Sequence, residues 1–417
     1  MSKPRAFYQF LQVGRIGEIA QRIAKVRNLY PEGEYDLTIL LPHDSIGKWA
    51  NPAVVEVLCR GLQVIRVHST QEAEQLYRQA KAEDDRALWI NPDAAANFLE
   101  FLNRFHDRPR SYLASLSREE VEKGWRLREK MGIPRKAKIV TFHVREAGYL
   151  GQMEYHNYRN ATISNYFYAL IYLIKKGYWV IRFGDTSMQP LRGLPEQIID
   201  APFHPDYEPF FEPYFIACSD FYLGMPSGPS TLAEAFGVPQ LMTNYPLSCG
   251  SGENDGDLFI HKKYYSNSLG RMLTYEEVLT SPILDFHRLY LYEESEITVI
   301  ENTPSEIFAA VWEMEARLSH SYPFLDEAER SHLRVKEIQK KAHVLRQHTL
   351  STDHYPYYPF YAGYLQLGRV SHEFIRLNPG YLGHAFPNIQ WGFHPKVEGL
   401  PGRIEELHRT RMNPHER

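Results

Sequence analysis

The sequence predicts an α/β protein of two doubly wound units, and three observations carry that prediction. Strand-like and helix-like stretches alternate through both halves of the 417 residues. The strand-like runs, such as Asp36–Leu41 (DLTILL) and Lys138–His143 (KIVTFH), are rich in β-branched and apolar residues, as strands covered on both faces by helices are. Between the halves, Gly132-Ile133-Pro134-Arg135-Lys136 interrupts the pattern with two residues that stop regular structure. This break sets the expected boundaries: an N-terminal α/β domain over 1–132, a second over 133–320, and an extension over 321–417 that packs on the body.

The elements follow in order. Phe7–Val13 reads as a first strand, and Gly14-Arg15-Ile16-Gly17-Glu18 as a turn into a helix through Lys25. Asp36–Leu41 is a buried strand closed by Pro42-His43-Asp44. Val64–Val67 and Ala87–Ile90 read as two more strands, with helices near Pro52–Arg60 and Glu72–Glu83. Arg118–Met131 reads as a helix with Ser117 as N-cap and Glu120 completing a capping box. After Lys138–His143 come the polar cluster His143-Val144-Arg145-Glu146, the stretch Tyr158-Arg159-Asn160-Ala161-Thr162, and a helical pattern over Ile163–Ile174. Tyr178–Phe183 is another strand, followed by Gly184-Asp185.

Cys218–Asn244 (CSDFYLGMPSGPSTLAEAFGVPQLMTN) is the most informative stretch. It reads as a strand at Phe221–Leu223, a Gly/Ser/Pro turn over Pro226–Thr231, a small-residue helix and a strand at Pro239–Thr243. A helix opened by such a turn presents free N–H groups and the positive end of its dipole at one point, which suits a phosphate. The plainer reading is an ordinary turn with Ser230 or Thr231 as the cap. Beyond Asn244, Ser248–Asp257 reads as a polar loop, His261–Tyr265 as a segment that could face the cleft, Pro304–Leu318 and Asp326–His348 as long helices, and Asp353–Tyr364 as an aromatic stretch packed on the body.

Composition narrows the function. Hydrophobic residues make up 43% and charged residues 24%, the proportions of a soluble globular chain. A net charge of −4 without a long basic run argues against nucleic acid as a partner. Cys59, Cys218 and Cys249 form no C-x-x-C pair, which fits a reducing cytoplasm. No run is long and apolar enough for a bilayer span, which leaves room for peripheral association with the inner membrane face. No H-E-x-x-H pattern argues for a metal. The 28 tyrosines suit sugar sites, and equally cores and interfaces.

Parallel doubly wound sheets bind ligands outside the carboxyl ends of their strands. Arg145, Asp185 and Ser227 each follow a strand and should share that rim. Arg145 suits phosphate because a guanidinium fork binds two oxygens; its plainer role is an ion pair with Glu146 or Asp185. Asp185 could hold a ribose hydroxyl or cap its own turn. Glu234, one turn into the helix from Ser230, could reach a ribose or face solvent.

The order HVRE, YRNAT, RFGD and SDFYLGMPSGPSTLAEAFGVPQLMTN resembles a family of bacterial glycosyltransferases found with surface-polysaccharide genes. It is more distantly similar to fucosyltransferases and heptosyltransferases of the two-domain GT-B fold. The resemblance covers about Lys138 to Asn244, and VGRIGEIA and GRVSHEFIRLNP also look like family signatures. It implies two Rossmann-like domains across a cleft, and transfer of a sugar from a nucleotide-sugar to a saccharide or lipid-linked acceptor without a metal or other cofactor. The expected donor-binding residues are His143, Arg145, Asn160, Asp185, Ser227, Gly228, Ser230, Thr231 and Glu234. The expected catalytic residues are Arg145 and, as the base from the first domain, Glu18, where relatives carry histidine at or near this position. Asp44, Glu154 and His156 are the rivals of Glu18. A nucleotide-sugar epimerase or hydrolase of the same fold would carry a similar turn, and a non-catalytic sugar-binding subunit would need no phosphate clamp.

Overall fold

The computed structural model describes residues 2–10, 13–43, 51–91, 112–146, 154–247, 254, 256–286, 288–323, 325–349 and 368–383. Two parallel sheets dominate it. The first joins β1 (Arg5–Gln9), β2 (Asp36–Pro42), β3 (Gln63–Val67) and β4 (Leu88–Ile90) in the order β3-β2-β1-β4. Its helices are α1 (Ile16–Leu29), α2 (Pro52–Leu58) and α3 (Thr70–Glu83). α4 (Arg118–Lys130) connects to the second sheet, and its Ser117–Glu120 capping box is present as the sequence indicates.

The second sheet holds seven strands. They are β5 (Lys138–His143), β6 (Tyr178–Arg182), β7 (Ile198–Asp200), β8 (Phe221–Gly224), β9 (Gln240–Tyr245), β10 (Leu258–His261) and, far along the chain, β14 (Arg369–Val370). Their order is β14-β10-β9-β8-β5-β6-β7, with every pairing parallel. The interleaved helices are α5 (Phe167–Lys175), α6 (Phe211–Ala217) and α7 (Gly228–Phe236). A small antiparallel sheet of β11 (Lys263–Ser266), β12 (Arg271–Met272) and β13 (Ile297–Ile300) follows, with α8 (Tyr275–Leu279), α9 (Leu289–Glu294) and α10 (Pro304–Leu318). α11 (Asp326–Thr349) and α12 (His372–Leu377) complete the described chain. α11 packs on α8, α12 and β14. The stretch Asp353–Tyr364 and most of the loop Ser248–Asp257 lie outside the described residues, as do Asp44 and Cys249.

Alternation along the strands explains the layering, because successive side chains point to opposite faces. In the first sheet, Phe7 and Leu40 face α3, while Tyr8, Ile39 and Leu41 face the second sheet. In the second sheet, Ile139, Ile181 and Tyr222 face back toward the first, and Val140, Phe142, Val180 and Leu223 face the layer that includes α5 and α10. The helices between the sheets, α1, α2, α6 and α7, therefore bury apolar residues from both units in one core.

One polar pair lies inside this shared layer. The Asn51 side-chain N–H donates to Glu212 Oε2 at 2.6 Å and lies 2.9 Å from Pro209 O, while Asn51 Oδ1 caps α2 at Val54 N–H. Burial pushes the Glu212 carboxyl up to about 7 from an ordinary value of 4.5. A raised carboxyl favours the folded state while it is protonated, so this contribution is whole below pH 4.5 and is lost as pH rises through 7. Glu212→Gln keeps the amide partner and removes the titration. It should stabilise the protein at pH 8 by about 2 kcal/mol, with the gap closing near pH 5. Urea unfolding at the two pH values measures it, and a pH-independent gap would contradict the assignment.

Candidate functional site at the topological switch point

In both sheets the chain runs outward from one central strand and then returns to that strand's other side. The switch lies between β1 and β4 in the first sheet and between β5 and β8 in the second. In open parallel sheets the crevice beyond the carboxyl ends at this point is where ligands bind. β5 and β8 end together there, with His143 opposite Gly224. A Cβ on Gly224 would lie 2.5 Å from the His143 carbonyl oxygen and 2.5 Å from the Tyr222 hydroxyl oxygen. The carbonyl is backbone and cannot swing aside, so only glycine lets the two strand ends meet. Gly224→Ala should cost roughly 1–3 kcal/mol of stability, the usual range for overpacking. A wild-type urea midpoint in this variant would remove the argument.

Arg145 emerges from β5 at this crevice. Its backbone N–H lies 3.4 Å from Met225 Sδ, which ties it to the chain leaving β8. Its Nε donates to Asn160 Oδ1 at 3.1 Å, and its carbonyl accepts Ala161 N–H. The plainer partners expected for Arg145 are committed elsewhere. Glu146 accepts from Arg182 Nη2 at 2.7 Å, while Arg182 Nη1 donates to Asp200 and to Gln189 O. Asp185 accepts Ser187 N–H at 2.8 Å, the turn-capping role.

His143 is neutral here. Its Nδ1 lies 2.9 Å from Phe183 O, and burial lowers its pKa to about 4. A carbonyl oxygen can only accept, so Nδ1 carries the proton and Nε2 the lone pair. His143 therefore offers an acceptor at the strand end and no positive charge to a phosphate.

The turn after β8 opens α7 differently from the expectation. Ser227, with extended backbone, is the N-cap, and Ser230 sits three residues on. Ser230 Oγ accepts Ser227 N–H at 3.0 Å and reaches Ser227 O at 2.8 Å. Ser227 Oγ donates to Met225 O and lies 3.2 Å from the Tyr222 hydroxyl. These hydroxyls shape the turn; what the turn presents is the α7 amino end at Ser227–Gly228, which is partly exposed.

That end meets the first unit. A Cβ on Gly17 would lie 3.1 Å from Gly228 Cα, and one on Gly228 would lie 3.2 Å from Gly17 N. The amino ends of α1 and α7 therefore abut at two glycines, and their positive dipole ends converge. Thr231 Oγ1 lies 2.8 Å from Gly228 O and 3.3 Å from Gly17 O. Glu234 approaches Lys25 of α1 at 4.0 Å, with both side chains largely buried. Thr231 and Glu234 thus take part in the α1–α7 contact. Glu18, next to Gly17, is half-buried with Oε2 2.8 Å from Arg22 Nε. The Glu154 side chain lies outside the described residues, and His156 is half-buried with its ring 6.2 Å from that of Tyr158.

Three residues missed in the sequence reading complete the crevice. Arg159 Nη2 donates to Pro226 O at 2.9 Å, so the 154–162 segment bridges the ends of β5 and β8. Arg15, half-buried, is the N-cap residue of α1 without a side-chain capping bond. Lys262, at the carboxyl end of β10 and only 2% exposed, donates from Nζ to Asn160 O at 2.7 Å. The Asn160 Nδ2 donates to Asn157 Oδ1. Its amide oxygen braces Arg145. Among the described residues no group of three or more His, Cys, Asp or Glu is placed to hold a metal, and no described helix is long and apolar enough to cross a membrane.

No protein-family model and no curated protein sequence matches this chain. Among solved structures it is similar to a glycosyl transferase family 9 protein from Veillonella parvula, at 12% identity and a TM-score of 0.39, covering 57% of this chain and 80% of that one. It is similar to the ADP-heptose heptosyltransferase II of E. coli, at 10% identity and a TM-score of 0.35, covering 57% and 84%. It is also similar to the iron-containing dodecameric glycosyltransferase TibC of E. coli, at 14% identity and a TM-score of 0.32, covering 58% of each chain. These likenesses are low, and the functional reading rests on the chain's own geometry.

Proposed function

We propose that this chain transfers a sugar from a nucleotide-sugar donor to a hydroxyl of a saccharide or lipid-linked acceptor, without a metal, in the making of cell-surface polysaccharide or glycoconjugate on the cytoplasmic side. One observation carries the reading. Arg145 follows β5 beside the chain leaving β8, whose α7 amino end meets the amino end of α1, with Arg159 on the segment that bridges β5 and β8. Two positive helix ends placed together repel unless an anion lies near both. A diphosphate supplies that anion.

In the reaction, the bond from the anomeric carbon to the diphosphate oxygen breaks, and a bond from that carbon to the acceptor oxygen forms. The acceptor's proton passes to a base, and the negative charge collects on the leaving diphosphate. Arg145 and the α7 amino end meet that charge where it develops, which is the arrangement that accelerates a step rather than merely binding substrate. Glu18 is the proposed base, because it follows Gly17, the glycine that touches Gly228 at the amino end of α7.

A thermal-shift panel tests the reading. ADP, GDP, CDP, UDP and dTDP, each in EDTA, are added at high concentration. At least one should stabilise the protein by about 2.7 kcal/mol when present at about 100 times its Kd. No shift with any of them would remove the proposal. A shift that needs a divalent ion would remove its metal-free part. Release of free nucleotide from the sugar donor without any acceptor would favour the hydrolase or epimerase reading.

A further inference from the structure

Lys262 is a buried cation that the proposed reaction leaves unused. Its Nζ donates to the Asn160 carbonyl at 2.7 Å, and its backbone N–H donates to Tyr245 O. Asn160 Oδ1 in turn accepts from Arg145 Nε at 3.1 Å. The groups around Lys262 are accounted for. Glu301 binds Thr162 N–H at 2.8 Å, Lys263 pairs with Glu306, and His261 faces the Tyr381 hydroxyl. Burial lowers the Lys262 pKa to about 8, and the Glu301 charge works against that shift. A buried ammonium is costly to keep, and here its charge is spent on a backbone carbonyl in the segment that crosses the crevice. The neighbouring Glu146–Arg182–Asp200 cluster fixes the residue after Arg145 but does not touch Asn160 through any of its described hydrogen bonds.

We infer that Lys262 and Asn160 are positioning residues that hold the Arg145 guanidinium at the switch-point crevice, Lys262 by fixing the Asn160 backbone and Asn160 by accepting from Arg145 Nε. The inference rests on the reading of Arg145 as the diphosphate contact, and it deepens that reading.

The test separates the two. Arginine modification by phenylglyoxal, read residue by residue by mass spectrometry on the nucleotide-free protein, reports how firmly Arg145 is held. Arg182, with no exposed surface, reports general loosening. Lys262→Met and Asn160→Ala should each raise the Arg145 rate about threefold or more while leaving Arg182 unchanged, as loss of one hydrogen bond to a charged group implies. Lys262→Arg, which keeps a charged donor, should restore the wild-type rate. An unchanged Arg145 rate in both variants, or an Arg182 rate rising in step with it, would overturn the inference. In the same proteins, any of the five nucleoside diphosphates that binds the wild type should bind about fivefold more weakly to Lys262→Met. Absence of nucleotide binding by the wild type would defeat the proposed function alone, since the modification rates are read without nucleotide.

Discussion

Arg145→Ala is expected to weaken nucleoside diphosphate binding by roughly 10- to 100-fold, because a hydrogen bond to a charged group contributes about 1.5–3 kcal/mol. If the guanidinium meets charge that grows as the sugar departs, turnover should fall further, by about 10²–10³. The fold should survive, since Arg145 is half-buried and its backbone contacts, to Met225 and Ala161, do not need the side chain. Arg145→Lys separates charge from shape. It keeps the cation and loses the fork, so it should recover only part of the loss. Calorimetry on the two variants, with urea midpoints as the stability control, measures the effect. Wild-type affinity and turnover in Arg145→Ala would mean that the crevice binds something other than a diphosphate.

Glu18→Gln is expected to lower turnover about 10²-fold or more and leave nucleotide affinity almost unchanged. Glutamine keeps the size and cannot take the acceptor's proton. The structure adds a condition that the sequence does not contain, because Glu18 Oε2 lies 2.8 Å from Arg22 Nε one turn along α1. That ion pair sits next to the α1–α7 contact. Arg22 is then a natural second variant, since its removal should alter turnover through Glu18 and spare nucleotide affinity. Wild-type turnover in Glu18→Gln would remove Glu18 from the mechanism and leave Asp44, Glu154 and His156.

The parts of the site legible in the sequence are those set by local order. A strand followed at once by polar residues marks the carboxyl rim, and this placed Arg145 and Ser227 at adjacent strand ends, as Val140–His143 pairing with Phe221–Gly224 bears out. Turn chemistry was legible in kind but not in detail. Pro229 at the start of α7 makes Ser227 the cap, and Ser230 closes the box from inside the helix. The roles of Thr231 and Glu234 were not legible, because they depend on what docks against α7. Gly228, Thr231 and Glu234 recur at helical spacing on one face, and that face meets α1, some two hundred residues earlier. Lys262 and Arg159 were missed for the same reason. Their partners, Asn160 and Pro226, lie far away in sequence, and nothing in HKKYY distinguishes a buried lysine from a solvated one. The strands β7 and β14, three and two residues long, went unread, as did the antiparallel strands β11, β12 and β13.

A crystal structure with a nucleotide-sugar, or with whichever nucleoside diphosphate binds, tests the central claim most directly. The account predicts the diphosphate between the Arg145 guanidinium and the Gly228 N–H, within about 3 Å of both, with the sugar directed toward the amino end of α1. A nucleotide seated anywhere other than the crevice between β5 and β8, or there with its phosphates directed away from Arg145 and the α7 amino end, would contradict it.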